Sequence, residues 1–275
     1  MPVIAVVNRK GGSGKSTLAT HLAGYLANRG LAVMLGDADR QQSTVPWLRR
    51  RAARTLPATA VIGRALDPKN VLRPPARVTH VVIDTPGALQ GFDLARILVF
   101  ADAVLVPVCT SAFDLESAAA CLAEIRSHPR VTSGRCKVGA LGMRIDSRTS
   151  GQQLLQTWAE AQGVALVGVL REAQIYVRCV ERGLTIFDLP AARMQTDLEQ
   201  WQPILQWLGP LLEVPAAPAA EPGRSVAPAR APVVPRSPAR PPASPAVPAP
   251  RGTDSGLRRL LAWLWPARLR PRAKP

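Results

Sequence analysis

A glycine-rich loop between an apolar run and a helix-forming stretch constrains this chain more than any other feature. The apolar run at residues 3–7 predicts a buried strand, and the helix after the loop is predicted over residues 16–29. Glycines let backbone N–H groups close around an anion without Cβ clashes, and the positive N-terminal end of the helix points at the same anion. Strand, loop and helix in this order therefore predict a phosphate-binding site.

The loop itself runs from Lys10 to Ser16 in the order Lys-Gly-Gly-Ser-Gly-Lys-Ser. Lys15 is predicted to reach the β- and γ-phosphates of a nucleotide, and the Ser16 hydroxyl is predicted to ligate Mg²⁺. Arg9 stands where the common phosphate-loop pattern has its first glycine, so the loop is a variant of that pattern. The predicted nucleotide-binding residues are Gly11, Gly12, Ser13, Gly14, Lys15, Ser16 and Thr17.

Proline content and charge both divide the chain near residue 213. Residues 1–213 hold 12 of the 27 prolines and a net charge of +7, whereas residues 214–275 hold 15 prolines and a net charge of +9. We therefore expect a folded domain over residues 1–213, a disordered Pro/Ala-rich linker over residues 214–256, and a short basic amphipathic helix and tail over residues 257–275. The positive excess favours a polyanionic partner, either nucleic acid or an anionic membrane.

Apolar runs alternate with stretches of helical spacing throughout residues 1–213. After the loop, strands are predicted at residues 31–35, 58–62, 78–83, 103–108, 138–145 and 164–170. Helices are predicted at residues 47–54, 67–72, 92–100, 112–127, 151–162, 173–182 and 190–212. This alternation predicts an α/β fold of the P-loop NTPase type, a parallel sheet flanked by helices, with a disordered Pro/Ala/Arg-rich C-terminal tail.

Three carboxylates follow predicted strands, where a Mg-nucleotide site needs them. Asp84 closes a hydrophobic strand and is predicted to hold Mg²⁺ through water. Asp37 is predicted to do the same from the neighbouring strand. Asp39, two residues later, is predicted to orient or polarise the attacking water. Ser16, Asp37 and Asp84 are thus the predicted metal-site residues.

Three segments resemble the ParA/MinD family of ATPases, and the resemblance extends over about residues 1–213. Residues 10–16 resemble the family's deviant Walker A motif, residues 37–43 its switch I segment D-x-D-P-Q-G, and residues 82–87 its Walker B motif with switch II. The resemblance implies ATP and Mg²⁺ as cofactors, a sandwich dimer formed on ATP binding, and Asp39 as a residue needed for hydrolysis. It also implies that Lys10 of each subunit reaches the phosphates bound by the other, where its charge would act as an arginine finger does. Lys10, Lys15 and Asp39 are therefore the predicted catalytic residues.

The chain departs from the family pattern at two positions. The proline after the D-x-D pair is Arg40 here, which predicts a different closure of switch I. Many members place an asparagine against adenine at the end of the strand predicted here over residues 138–145, where this chain has Met143. Adenine recognition would then depend on another contact, such as one from the backbone.

The resemblance also implies partners for the late part of the domain. ParA-like proteins bind DNA non-specifically as ATP dimers, through basic residues that need only share one surface. Arg178 and Arg182 are four residues apart and therefore share a helix face. The candidate DNA-binding residues are Arg144, Arg148, Arg171, Arg178, Arg182 and Arg193.

The last twenty residues have the composition of a short amphipathic helix. MinD-like proteins reach membranes through such a helix, and an ATP dimer would present two copies of it. A basic tail that adds affinity for DNA and a docking peptide for a partner protein are equally open interpretations. The candidate membrane or partner residues are Leu257, Leu260, Leu261, Leu264 and Trp265.

Cysteine spacing and hydropathy indicate the cellular compartment in which we expect the protein to work. Four cysteines without a C-x-x-C pair and only three histidines argue against a zinc site and favour a reducing cytosol. No run of about 18 apolar residues is present, and the N-terminus lacks the pattern of a signal peptide. We expect a cytoplasmic protein that associates with the nucleoid or, alternatively, with the membrane periphery.

Our first hypothesis is a ParA-like ATPase that partitions or positions a plasmid, a chromosome or another large cargo. Its dimer would bind DNA, and a stimulating partner, a centromere-binding-like protein or a cargo adaptor, would trigger hydrolysis and release. The first alternative is a MinD-like, membrane-associated regulator of division-site or polar placement. The second is a P-loop synthetase or reductase, although Cys109 and Cys136 lack the glycine-rich setting of a bridging iron–sulfur site.

Overall fold

A computed structural model describes residues 1–67, 72–146 and 148–213, and within them it defines seven strands and the helices that connect them. The strands are β1 (Val3–Val6), β2 (Val33–Asp37), β3 (Ile62–Ala65), β4 (His80–Asp84), β5 (Ala103–Val108), β6 (Lys137–Ile145) and β7 (Ala165–Arg171). The helices are α1 (Lys15–Asn28), α2 (Val45–Ala52), α3 (Gly91–Phe100), α4 (Ala112–Arg126), α5 (Pro129–Thr132), α6 (Gly151–Ala161), α7 (Gln174–Glu181) and α8 (Ala191–Leu208).

The seven strands form one parallel sheet in the order β3-β2-β4-β1-β5-β6-β7. Strand β1 lies between β4 and β5, and Val6 is in register with both Asp84 and Leu105. The carboxyl ends of parallel strands meet at one edge of the sheet, and a ligand crevice forms where the strand order reverses. The strand order reverses beside β1, which places the loop after β1 in that crevice.

Each face of the sheet carries its own apolar layer. On one face, α1 packs with α7 and α8 through buried residues such as Leu22 and Trp201. On the other face, α3 and α4 pack through buried residues such as Leu94 and Ile125. Burying a leucine or isoleucine side chain contributes roughly 1.5–3 kcal/mol, so both layers fix the sheet between the helices. Among the described residues, no helix combines the length and the hydropathy needed to cross a membrane.

The structure confirms the predicted fold class and shifts several element boundaries. The predicted strand at residues 58–62 was misplaced, because β3 begins at Ile62 and pairs with β2 through the register Met34↔Ile62. This edge strand has only four residues, Ile-Gly-Arg-Ala, and is mostly exposed, so it has no apolar run by which a sequence search could find it. In the predicted helix at residues 67–72, residues 68–71 lie outside the described part of the chain.

The C-terminal end of the domain also differs from the prediction. Helix α8 continues through Pro203 to Leu208, because the buried side chains of Trp201 and Ile204 hold the helix on both sides of the proline. A 3₁₀ turn (Gly209–Leu211) follows, so the predicted helix at residues 190–212 was too long. The predictions for the linker and for the tail with Leu257 concern residues outside the described part of the chain.

A buried ion pair fastens helix α2 to the segment after α7. Arg51 donates to the Asp188 carboxylate at 2.8 Å, and both side chains are almost fully buried. The Thr185 hydroxyl also donates to Asp188, at 2.7 Å, and the Trp47 indole N–H donates to the Leu184 carbonyl at 3.0 Å. A buried ion pair is stable only when further hydrogen bonds satisfy it, as they do here, so α2 is firmly anchored.

His21 lies on α1 and is completely buried. Its Nδ1 contacts the Thr17 carbonyl at 2.9 Å, its ring stacks on Trp201 at 6.1 Å and approaches Tyr176 at 5.1 Å, and its Nε2 has no partner among the described residues. Burial lowers the pKa of His21 to about 4. The imidazole is therefore neutral at physiological pH.

The depressed pKa of His21 predicts a loss of stability in mild acid. The unfolded chain takes up a proton near pH 6.5 and the folded chain only near pH 4, so stability falls as the pH drops through this window. Protonation linked to this histidine alone should lower the free energy of unfolding by about 2 kcal/mol from pH 7 to pH 5. Urea unfolding of wild type and His21→Phe across this range measures the difference, and equal pH slopes for the two proteins would contradict it.

Candidate functional site

The loop after β1 (residues 10–16) has the backbone of an anion-binding site. Gly12 and Gly14 have φ angles of 75° and 92°, in the left-handed region that glycine adopts without strain. Gly14 precedes α1, whose first turn has no side-chain cap, so its N–H groups are available to a ligand. Asn8 fixes the loop to β5, since its amide donates to the Pro107 carbonyl at 2.7 Å and its oxygen accepts from the Lys10 N–H at 3.0 Å.

The two lysines of the loop point to different places. Lys15 is buried, and its ammonium donates to the Lys10 carbonyl at 2.9 Å. Burial lowers the pKa of Lys15, although the negative charges of Asp84 and Asp39 act to raise that pKa. The Lys10 ammonium instead forms an ion pair with Asp114 at 2.7 Å. Burial acts to raise the pKa of Asp114, but hydrogen bonds from Lys10 and Ser111 hold that pKa below its ordinary value. Lys10 is thus half-exposed and held by its own chain.

Asp84 ends β4 as a completely buried carboxylate. Neither of its oxygens accepts a well-formed hydrogen bond from the described residues. Burial raises the pKa of Asp84 to about 7; the Ser16 hydroxyl opposes this shift and the nearby Asp37 charge adds to it. A buried polar group normally finds a partner, and in this site the missing partner points to a cation.

Asp37 ends the neighbouring strand β2, and both of its carboxylate oxygens accept hydrogen bonds. One carboxylate oxygen accepts from the Asp39 N–H at 3.0 Å, and the other accepts from the Thr44 N–H at 2.9 Å and from the Thr44 hydroxyl at 2.7 Å. The loop between them passes through Gln42, which has a left-handed φ of 50° without being glycine. Asp37 therefore organises switch I, and its role at the metal site, through water as for Asp84, stays a prediction.

The segment after β4 is fastened to the phosphate loop. Ala88 donates its N–H to the Arg9 carbonyl at 2.5 Å, and an added Cβ at Gly87 would lie 3.4 Å from the Gly11 Cα. Glu124 on α4 accepts a hydrogen bond from the Arg9 guanidinium. Switch II and the phosphate loop are consequently in direct backbone contact, so a change in one displaces the other.

A cavity of about 460 Å³ opens beside the phosphate loop and lies over the carboxyl ends of β6 and β7. Asp39 faces it with the loop residues Gly11, Gly12, Gly14, Lys15, Ser16 and Thr17. The other lining residues are Ser43, Thr85, Gly87, Met143, Arg144, Leu170, Arg171, Glu172, Ala173, Gln174, Tyr176 and Val177. Of the group from Leu170 to Val177, sequence analysis selected only Arg171, and for DNA rather than for this cavity, although the place of the group after a predicted strand was a usable signal.

Met143 and Arg144 at the end of β6 contact the phosphate loop. An added Cβ at Gly14 would lie 2.7 Å from Cε at the flexible end of Met143, which can move, so it is the φ of 92° that requires glycine there. Arg144 has a left-handed φ of 55°, and its guanidinium donates to the Gly12 carbonyl. The structure thus places Arg144, expected at a DNA surface, at the rim of the cavity.

The other candidate DNA-binding arginines fall into two groups. Arg148 is paired with Asp146 and Arg171 with the buried Asp197, which neutralises much of their charge. The other three are exposed and form no ion pair within the described residues: Arg178, Arg182 and Arg193. The assignment of all six to one surface stays a prediction, with its best support at these last three.

The residues present fit a magnesium nucleotide. The open N-terminal turn of α1 and the Lys15 ammonium suit the phosphates, and the orphaned carboxylate of Asp84 beside the Ser16 hydroxyl offers the oxygen donors that Mg²⁺ prefers. The cavity over β6 and β7 has room for the nucleoside. A bound Mg²⁺ would supply charge neutralisation at the phosphates.

Comparisons with known proteins agree with this geometry. Residues 4–186 match the family described as the CobQ/CobB/MinD/ParA nucleotide binding domain. The chain is 30% identical over 194 residues to maintenance of carboxysome distribution protein A of Halothiobacillus neapolitanus, which covers 68% of this chain and 88% of that protein. It is 29% identical over 218 residues to the chromosome-partitioning ATPase Soj of Thermus thermophilus, covering 68% and 84%. MinD in the MinC:MinD complex of Aquifex aeolicus has the same fold, with a TM-score of 0.58 and 16% identity over 76% of this chain and 96% of that one.

The parallel sheet, the glycine loop at its switch point and the adjoining carboxylates define a P-loop nucleotide-binding protein. Within that class, the chain belongs to the ParA/MinD family of ATPases, as the resemblance in its sequence indicated. The fold shared with MinD and the relatives named above confirm the recognition.

Asp84 and Asp37 should respond oppositely to the same substitution. Without Mg²⁺ and nucleotide, Asp84→Asn should be more stable than wild type at pH 8 by about 2 kcal/mol, because it removes an uncompensated buried charge. The difference in free energy of unfolding between Asp84→Asn and wild type should narrow towards pH 5. In the folded wild type the pKa of Asp84 is raised to about 7, so its carboxyl is protonated and uncharged at that pH. Asp37→Asn, the matched control, loses charge-assisted hydrogen bonds and should be less stable at pH 8. Urea unfolding tests both, and a destabilised Asp84→Asn would refute the uncompensated charge.

Proposed function

We propose that this protein is a ParA-like ATPase that positions DNA or another large cargo through an ATP-dependent dimer. The observation that carries the proposal is the orphaned Asp84 carboxylate beside Ser16 and Lys15, at the phosphate loop of a ParA/MinD-family domain. The names of two relatives, a carboxysome distribution protein and a chromosome-partitioning ATPase, support a positioning role.

In the proposed reaction, this chain orients the phosphates and the attacking water. Lys15 and the first-turn N–H groups of α1 bind the β- and γ-phosphates, and Ser16 with Asp84 holds Mg²⁺. Asp37 fixes the start of switch I, and this position lets Asp39 face the cavity, where it orients the water for in-line attack. The partial burial of Lys15 strengthens its attraction to phosphate because the local dielectric is low.

Lys10 supports a dimeric site. Its side chain is not part of the described lining of its own cavity, and its ammonium faces Asp114 at 2.7 Å on the outer side of the loop. A second subunit that contacts this face would receive Lys10 at its own phosphates. ATP binding and dimerisation are thereby linked, because Lys10 neutralises the negative charge of the transferring phosphoryl group only in the dimer.

DNA is the proposed partner of the nucleotide-bound dimer. Arg178 on α7 and Arg182 just after it support this partner, because both are exposed and form no ion pair within the described residues, and phosphate contacts need only accessible cations on one surface. A partner protein that stimulates hydrolysis would release the DNA. The membrane-associated alternative depends on residues 257–265, outside the described part of the chain.

A reductase of the family type has no support in the cysteine geometry. Cys109 directly follows β5 at the carboxyl edge of the sheet, whereas Cys136 directly precedes β6 at the amino edge and is buried. Two thiols at opposite edges of one sheet cannot bridge a single cluster between subunits.

Loss of the phosphate-loop lysine should abolish turnover. Lys15→Ala should lower Mg-dependent ATP hydrolysis at least a hundredfold, because the terminal phosphates lose their principal cation. Asp39→Ala should still bind a fluorescent ATP analogue with an affinity near wild type but should not hydrolyse ATP. Phosphate release and fluorescence titration measure both effects. Wild-type turnover by Lys15→Ala would rule out the ATPase proposal.

Subunit mixing should distinguish action of Lys10 in trans from action in cis. Lys10→Ala and Asp39→Ala should each be inactive alone. In a 1:1 mixture, half of the dimers are mixed and each contains one complete site, so about a quarter of the wild-type turnover should return. If Lys10 serves its own nucleotide, the mixture stays inactive, because no subunit then has both residues.

A further inference from the structure

Glu124 on α4 joins two segments of the nucleotide site, although it is not among the described residues that line the cavity. One of its carboxylate oxygens accepts a hydrogen bond from the Arg9 guanidinium, and the other accepts from the Gly91 N–H. Arg9 directly precedes the phosphate loop, and Gly91 is the first residue of α3. We call these two contacts the Glu124 bridge. A single carboxylate thus ties the phosphate loop to the helix that follows switch II.

The bridge supplies a cap to the N-terminus of α3. The first N–H groups of a helix have no partner inside it, and the side chain of the residue before the helix often satisfies one of them. Gln90 holds that position, but its side chain forms no capping hydrogen bond with the described helix. The Glu124 carboxylate takes this place from a neighbouring helix, and its negative charge lies at the positive end of α3. The position of the first turn of α3 therefore depends on α4.

Arg9, at the other end of the bridge, depends on Glu124 for the position of its side chain. Its buried Nε has no hydrogen-bond partner among the described residues, so the ion pair with Glu124 is what holds the guanidinium. The two side chains are 26% and 27% exposed, so solvent screens their attraction only in part. The Arg9 carbonyl also accepts the Ala88 N–H. Arg9 thus contacts the segment after β4 directly through its backbone and indirectly through Glu124.

The segment from Asp84 to Gly91, which contains switch II, is fixed at three points. The pairing of β4 with β1 fixes Asp84, the Arg9 carbonyl holds Ala88, and the bridge holds Gly91. Ala88 has a left-handed φ of 60°, which a residue other than glycine adopts only where its surroundings impose it. The path of this segment is therefore set by its attachments rather than by its own conformational preference.

We propose that Glu124 is a positioning residue of the ATPase, whose carboxylate sets the place of switch II against the phosphate loop. This inference rests on the proposed function and adds a residue that no motif of the sequence selects. Glu124 acts through Thr85 and Gly87, which line the cavity within the segment that the bridge holds. Without the bridge, the first turn of α3 is released, and both residues can move away from the loop.

The effect of the bridge should fall on turnover rather than on nucleotide affinity. In the proposed site, the N–H groups at the start of α1 and the Lys15 ammonium bind the phosphates, and neither of them contacts Glu124. Thr85, by contrast, directly follows Asp84, the proposed Mg²⁺ residue. A displacement of this segment by about 1 Å is enough to slow a phosphoryl transfer ten- to a hundredfold.

The test compares the full-length wild type with Glu124→Ala in Mg-dependent ATP hydrolysis. The value of kcat should fall about tenfold, while the affinity for a fluorescent ADP analogue should change by less than about twofold. Glu124→Gln keeps one acceptor oxygen, so its kcat should fall only about threefold. Glu116→Ala is the matched control, because it removes an exposed carboxylate from the same helix, and it should leave kcat unchanged.

Arg9→Ala tests the path by which Glu124 acts. Arg9 is one end of the bridge, so the double variant Arg9→Ala with Glu124→Ala should be no slower than Glu124→Ala alone. Losses that multiply in the double variant would contradict this path.

Amide hydrogen exchange of the nucleotide-free protein measures the bridge without any turnover. Residues 88–92 should exchange at least about tenfold faster in Glu124→Ala than in wild type or Glu116→Ala, because the segment loses one attachment. The buried side chains of Cys121, Leu122 and Ile125 hold α4 on the sheet, so the substitution leaves its packing intact. Urea unfolding confirms that each variant is folded.

Each outcome decides one part of the inference. If Glu124→Ala matches Glu116→Ala in both kcat and exchange, the inference is wrong while the proposed function stands. If exchange rises but kcat does not change, the bridge is structural only and the positioning role is refuted. If the affinity for the ADP analogue falls as far as kcat, Glu124 acts on the phosphate loop instead of switch II, and the inference is overturned. If the wild type hydrolyses no ATP, the proposed function fails and the inference fails with it.

Discussion

The parallel pairing of β1 between β4 and β5 is the constraint on which the site depends. The register of Val6 with Asp84 fixes how far each strand extends, so the glycine loop and the carboxylate reach the same edge together. A shift of this register by one residue would move every side chain of a strand to the opposite face. The apolar layers on both faces make that shift costly, which is how the core determines the geometry of the nucleotide site.

Two buried aspartates at the same edge show how the supply of hydrogen-bond donors gives one residue type two different tasks. The backbone and hydroxyl of Thr44 satisfy the Asp37 carboxylate, which thereby shapes switch I. Asp84 receives no such donors, and its raised pKa reflects the desolvation of a charge that lacks compensation. The folded chain tolerates this cost because a domain of this size has apolar burial to offset it, and a bound cation would recover the free energy.

The sequence predicts the parts of the fold that depend on local pattern. Strand β5 and the start of α4 lie where the apolar pattern predicts them. The order of residues in the glycine loop likewise predicts phosphate binding. Contacts between distant segments were beyond that reasoning. Nothing local shows that Arg144 reaches the carbonyl of Gly12, or that the hydrogen bonds of Asp37 are already satisfied by Thr44. Edge strand β3 was misplaced for the same reason, since its pairing with β2 rather than its hydropathy defines it.

The buried pair of Arg51 and Asp188 has a mechanical consequence for the switch segment. Helix α2 is held to the segment after α7 near both of its ends, by the Trp47 indole in its first turn and by Arg51 in its last, so the helix and that segment move as one unit. The segment from Asp37 to Thr44 then joins two fixed points and passes through Gln42 with its left-handed φ of 50°. A movement of Asp39 that displaces Thr44 would therefore pass through α2 to the segment after α7, on the far side of the same helix.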